Sequence, residues 1–216
     1  MSVVADPQVP TSVRLDTRAS QRAFRILLDA FSRPGRAVDL AVVASEAGVD
    51  PALVPILALA DIEVSVAVVG AAGRADAVER LVHRSTGARI VADLGNADMV
   101  LADDRFGADQ VAALRRGDAW TPESGSRLVL RCHRLFGDDD EPHGPNPAVV
   151  RLAVTGPGAR DVRHVGVVGV PVEVFEALRS ANLEHPAGVD TWLVADDGLC
   201  VGLPRSSDVR IELGAR

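Results

Sequence analysis

Val64-Ser65-Val66-Ala67-Val68-Val69 runs directly into Gly70-Ala71-Ala72-Gly73 and then into a helix-forming segment over Asp76–Arg84. A short, β-branched apolar run followed by a glycine turn and a helical stretch is the signature of a strand feeding a helix. The same alternation continues downstream. Arg89–Ala92 and Met99–Ala102 read as short strands, Ala108–Arg116 as a helix and Arg127–His133 as a further strand. Strand and helix in turn predict an α/β fold, with a central mixed sheet covered by helices in a three-layer sandwich. A strand, glycine loop and helix can also hold a pyrophosphate. The spacing here is G-x-x-G rather than G-x-G-x-x-G, so the stretch reads as an ordinary turn between strand and helix.

Upstream, Phe24, Leu27, Leu28 and Phe31 recur at helical spacing and predict a helix over Ala23–Phe31 whose apolar face suits the core, although a dimer face would look the same. Thr17 or Ser20 is its candidate cap, and Ser32-Arg33-Pro34-Gly35 ends it, because Pro34 drives Arg33 out of helical geometry. A strand over Ala37–Val42 follows. Asp50-Pro51 opens a helix to about Ala60, which starts at Val54 if Pro55 is to sit in its first turn. Downstream, Val149–Val154 is a strand, Thr155-Gly156-Pro157-Gly158 a tight turn, and another strand ends near Val168. Pro171 opens a helix carrying Val174, Leu178 and Ala181, and Val189–Ala195, Leu199–Gly202 and Val209–Leu213 close the chain as strands. Residues 1–216 are expected to form one domain, with an N-terminal arm over 1–17 and an acidic loop insertion over 137–147.

The chain has 216 residues, a formal net charge of −7 and no tyrosine, so it offers neither a basic footprint nor an aromatic platform for nucleic acid. No apolar run is long enough to span a bilayer, and Met1–Pro7 lacks the features of a secretory signal, which places the expected location in the cytoplasm, away from membranes. Cys132 and Cys200 form no CxxC or Cys/His pattern and are expected to be buried thiols. All 23 basic residues are arginine. A P-loop and a Schiff-base enzyme each need a lysine, so this chain alone performs neither chemistry.

The histidines at 83, 133, 143, 164 and 185 form no HExxH or HxH pair, and no GxSxG elbow is present. Asp138-Asp139-Asp140-Glu141 with His143 is expected to be a solvated acidic loop rather than a metal centre. Neither a catalytic residue nor a metal site is predicted. The two glycine turns could present backbone N–H groups to an anion or a partner, with Arg33 and Arg205 adding guanidinium forks. The candidate binding residues are therefore Arg33, Gly35, Gly156, Gly158 and Arg205.

Four segments carry a family resemblance together: Gln21–Gly35 (QRAFRILLDAFSRPG), Gly117–Gly125 (GDAWTPESG), Leu152–Gly158 (LAVTGPG), and His185–Asp190 (HPAGVD) running on to Gly202–Ser207 (GLPRSS). In this order and spacing, from about Ser20 to Leu213, the chain resembles PhnH, a subunit of the bacterial carbon–phosphorus lyase core complex. Three positions depart from that pattern. Ile62–Gly70 stands where a Thr-Pro-Val-Trp-like stretch is usual, Ala159 where isoleucine is usual, and Ser206-Ser207 where two threonines are common.

The resemblance implies a role in phosphonate catabolism beside PhnG, PhnI and PhnJ. It implies support for forming a ribose 1-phosphonate 5-triphosphate intermediate, a homodimer, and no active site of the subunit's own. It also implies a fold like that of pyridoxal-phosphate-dependent transferases with the cofactor lysine lost, and so no cofactor. The residues leave an alternative open: a free-standing α/β enzyme or ligand-binding module for a phosphorylated small molecule, built on the glycine turns, Arg33 and Arg205.

Overall fold

A computed structural model of the chain describes residues 10–137 and 149–212. The acidic run Asp138–Glu141, with His143, lies outside the described residues. In chain order the elements are α1 (Thr17–Ser32), β1 (Ala37–Asp39), α2 (Ala41–Ala47), α3 (Val54–Leu59), β2 (Ser65–Val69), α4 (Ala72–Thr86), β3 (Arg89–Ile90) and β4 (Met99–Ala102). Then follow α5 (Ala108–Ala112), β5 (Arg127–Cys132), β6 (Arg134–Phe136), β7 (Val149–Thr155), β8 (Arg163–Val168), α6 (Val172–Ala181), β9 (Asp190–Ala195), β10 (Leu199–Leu203) and β11 (Asp208–Glu212).

The fold is α/β around a mixed seven-stranded sheet of order β1-β10-β9-β5-β4-β2-β3. From β9 to β3 the neighbours are parallel, while β10 runs against both β9 and β1. A second sheet, β11-β7-β8-β6, is antiparallel throughout. Strand period two divides the interior in two. Val100, Ala102, Leu128, Leu130 and Leu193 face α5, α6 and the four-stranded sheet. Met99, Leu101, Val129, Trp192 and Val194 face α1 to α4. Each fully buried Leu or Val contributes about 1.5–3 kcal/mol of transfer free energy, which makes both faces strongly register-specific. Helices cover the mixed sheet as expected, and on one face the second sheet joins α5 and α6 in that cover. β6 and strands from the β-rich last third of the chain build that second sheet.

Several boundaries also differ from expectation, for local reasons. α1 starts at Thr17 because the carboxylate of Asp16, rather than Thr17 or Ser20, accepts the Ala19 N–H at 2.8 Å. Its apolar face splits: Ala19, Ala23, Leu27 and Ala30 are buried, while Phe24 is 51% and Leu28 57% exposed. The strand expected over Ala37–Val42 stops at Asp39, whose carboxylate accepts the Ala41 N–H at 2.6 Å and starts α2. A third Asp, Asp50, accepts the Ala52 N–H at 3.0 Å and opens a 3₁₀ turn over Pro51–Leu53. α3 then starts at Val54, with Pro55 in its first turn where the missing N–H costs nothing.

Candidate functional site

Two of the four family-bearing segments, Gly117–Gly125 and His185–Asp190 with its continuation to Ser207, meet at Arg205, at the N-terminal ends of the parallel strands. The Arg205 N–H donates to Asp190 Oδ1 at 2.9 Å and its Nη2 to Asp190 Oδ2 at 2.7 Å. Nη1 donates to the carbonyl of Pro122 at 2.5 Å and lies 3.5 Å from that of Pro186. The planar guanidinium fork is what allows one side chain to serve a carboxylate and two carbonyls. The glycines of these segments let the backbones close. A Cβ at Gly125 would stand 2.5 Å from Gly188 O and 2.7 Å from Arg205 Nη1. Gly188 N–H donates to Arg116 O at 2.7 Å, and Asn182 accepts the Val189 N–H at 2.7 Å.

The loop over 117–125 is fixed from within. Asp118 Oδ1 accepts from Trp120 N–H and Thr121 N–H, both at 2.7 Å, and from the Thr121 hydroxyl at 3.1 Å. Those bonds, that from Thr121 N–H foremost, hold the Asp118 carboxyl below its ordinary value. The loop so fixed presents Trp120 with 93% of its surface exposed.

The remaining expected residues gather one turn away. Gly35, at φ +75°, donates its N–H to Gly202 O at 3.2 Å, and a Cβ there would stand 2.8 Å from Arg163 Cβ. Gly156 leaves 3.0 Å between a Cβ and Ser207 Cα, and Gly158 packs on Ser32 and Pro34. The two glycine turns therefore touch each other, and the 155–158 turn also touches the 206–207 segment. Arg33 forms an ion pair with Asp29 on α1. Beside Arg205 a cavity of about 260 Å³ is lined in part by Phe175, Arg179, His185 and Ser207, and the buried Ser207 hydroxyl has no hydrogen-bond partner among the described residues.

At the opposite ends of the same strands stands a set of residues that sequence reasoning missed. Arg74 Nη2 pairs with Asp50 Oδ2 at 2.8 Å, Arg131 Nε lies 3.3 Å from the same oxygen, and Arg131 Nη2 pairs with Asp196 Oδ1 at 2.8 Å. The available signal was position: Asp103 and Asp196 each follow the last residue of a parallel strand. Among the described residues no group of three or more His, Cys, Asp or Glu is placed to hold a metal ion. Burial pushes the thiols of Cys132 and Cys200 far above the range in which they would ionise.

Known proteins match most of this chain. The family described as bacterial phosphonate metabolism protein (PhnH) matches residues 12–210. HtxG of Stutzerimonas stutzeri, named as a C-P lyase subunit protein, is 33% identical over 193 residues, covering 89% of this chain and 86% of its own. The match takes in every segment that meets at Arg205 and both glycine turns. The chain belongs to the PhnH family of bacterial phosphonate metabolism proteins.

Proposed function

We propose that this chain is a non-catalytic subunit of the carbon–phosphorus lyase core complex, acting in the cytoplasm beside PhnG, PhnI and PhnJ. In that role it supports formation of the ribose 1-phosphonate 5-triphosphate intermediate from a nucleoside triphosphate and an alkylphosphonate. The observation that carries this reading is how the family-bearing residues are spent. Arg205, Asp190, Gly125 and Gly188 hold backbone to backbone, and what their assembly turns outward is Trp120 on a fixed loop. A large exposed aromatic on a preorganised loop is suited to anchoring a protein partner. We assign the corner of Arg33, Gly35, Gly156, Gly158 and Arg205 to the same work of shaping a partner contact.

A homodimer is part of the proposal. The exposed Phe24 and Leu28 of α1 border a groove of about 370 Å³ that also includes Phe31, Leu59 and Trp192, and Ile62 is 79% exposed. Apolar groups of this size on a surface favour association. The fold is proposed to be a cofactor-free relative of the pyridoxal-phosphate-dependent transferases, a reading supported by the mixed sheet and the absence of lysine. Co-expression with PhnG, PhnI and PhnJ, followed by native mass measurement, tests the reading. A stable assembly containing two copies of this chain is the expected result, and a chain that elutes alone under those conditions sinks the proposal.

A further inference from the structure

A cavity of about 550 Å³ lies over the C-terminal ends of the parallel strands. Val69-Gly70 after β2, Ala102-Asp103 after β4, Arg131 of β5 and Asp196 after β9 reach it, and the segment over 44–53 closes its far side. In an open α/β sheet this crevice is where ligands bind, because chain connections diverge there and helix amino ends point into it.

The lining has two characters. Val49, Leu53, Val78 and Leu101 give it an apolar wall. The polar part is the Arg74–Asp50–Arg131–Asp196 chain, in which the buried Arg131 Nε faces Asp50 Oδ2 at 3.3 Å without a well-formed hydrogen bond among the described residues. Asp103 stands apart from that chain. Its Oδ1 accepts the Arg105 N–H at 3.0 Å, while its Oδ2 has no hydrogen-bond or ion-pair partner among the described residues. Gly70 leaves room for that oxygen, since a Cβ there would stand 2.6 Å from it. The fifteen-residue helix α4 begins at Ala72 beside the cavity, with no side-chain cap and no acidic residue in its first turn.

A carboxylate acceptor at the end of one strand, next to a strand–glycine–helix turn on its parallel neighbour, matches the chemistry of a ribose phosphate. The hydroxyls donate to the carboxylate, and the phosphate meets guanidinium and helix amides. We propose that this cavity binds a ribose phosphate group, as the free sugar phosphate or within a nucleoside monophosphate. Asp103 Oδ2 takes the ribose hydroxyls, Arg74 and the start of α4 take the phosphate, and the wall of Val49, Leu53 and Val78 accepts a base where one is present. The volume suits a single nucleotide, and the chain has no lysine to cradle a second and third phosphate. The proposal rests on the cavity and is independent of the subunit reading.

Isothermal titration of the full-length chain with ribose 5-phosphate, AMP and 2-deoxyribose 5-phosphate tests it. Saturable binding of ribose 5-phosphate or AMP is expected. Tighter binding of AMP identifies a nucleotide site, and equal binding a sugar phosphate site. Asp103→Asn keeps the oxygen that accepts from Arg105 and should weaken binding about tenfold or more, and Arg74→Ala should do the same. If either variant fails to fold, the wild-type chain still decides, because 2-deoxyribose 5-phosphate should bind about tenfold more weakly than the ribose compound. No saturable binding of either ribose ligand at millimolar concentration overturns the proposal. So does binding that ignores both substitutions, or that does not distinguish deoxyribose from ribose.

Discussion

Phe31 and Trp192 stack with ring centroids 4.1 Å apart and planes 15° from parallel. One ring ends α1 and the other sits in the middle of β9, so the stack fastens the helix that carries the exposed Phe24 and Leu28 onto the central sheet. The indole Nε1 of Trp192 also faces Leu27 O at 3.4 Å. Trp192 is 3% exposed. Trp192→Ala is therefore expected to lower the unfolding free energy by about 3–5 kcal/mol, followed by far-UV circular dichroism in urea.

Arg205→Met removes the fork that joins Asp190 to Pro122 while keeping much of the stem's volume. It leaves the largely buried Asp190 carboxylate without its cation. A loss of about 3 kcal/mol is expected, with Arg205→Lys intermediate, because an ammonium cannot serve the carboxylate and the carbonyl in one plane. A double-mutant cycle with Asp190→Asn measures the coupling. Additive single effects would show that the two side chains do not act together.

Gly158 has φ +90° and lies against Ser32 and Pro34. Gly158→Ala meets both a strained backbone and a steric clash, and should cost about 1–3 kcal/mol. Gly73→Ala is the control, since nothing lies within 4 Å of a Cβ there and the residue is helical. That change should be neutral or stabilising by up to about 1 kcal/mol.

Trp120 and Trp192 are the chain's two tryptophans, and with no tyrosine they are its emitters. Iodide should quench the exposed Trp120 and spare Trp192, and Trp120→Phe should abolish the quenchable component. The Asp118 carboxyl that fixes this loop is depressed below 3.8 in the folded protein. A depressed carboxyl stabilises the folded state fully above its unfolded value and loses that contribution as the pH falls through its folded value. Trp120 emission should thus stay constant from neutral pH to about the ordinary carboxylate value and change below it. Asp98 acts with the same sign. Burial raises its carboxyl, but the Ser65 hydroxyl and N–H and the Arg115 guanidinium outweigh burial and hold it low.

Cys132 and Cys200 are buried with raised pKa values, so neither should react with a thiol reagent in the native protein at neutral pH. Both should react once urea unfolds it. Fast labelling of either in the native state would place it at an opening that the fold does not show.

The sheet was legible in the sequence because Val64–Val69 and Met99–Ala102 are dense enough in β-branched and apolar residues to admit one reading. The split of α1 was not. Phe24, Leu27, Leu28 and Phe31 share one helical face, and only the placement of β9 and β10 shows that Leu27 meets the core while Phe24 and Leu28 do not. α2 escaped notice for a different reason: Leu40 and Gly48 bound only seven residues, too few for a periodic signal. Arg33 and Arg205 stood out as unusual residues near glycine turns, but their partners, Asp29 and Asp190, are set by tertiary contact. The cavity residues Asp50, Arg74, Asp103, Arg131 and Asp196 come from five separate elements or turns, so no local motif joins them.

β9 has Asp190 at its first residue and Asp196 just past its last. Six residues of extended chain span about 20 Å, and this strand is hydrogen-bonded on both edges and covered on both faces. It is a tie-rod with the Arg205 clasp bolted to one end and the strand-end cavity to the other. Packed on both edges and both faces, the strand has little room to absorb a displacement applied at either end. If a partner docks at the Trp120 corner and a ligand fills the cavity as proposed, β9 is the element through which each event would be felt by the other.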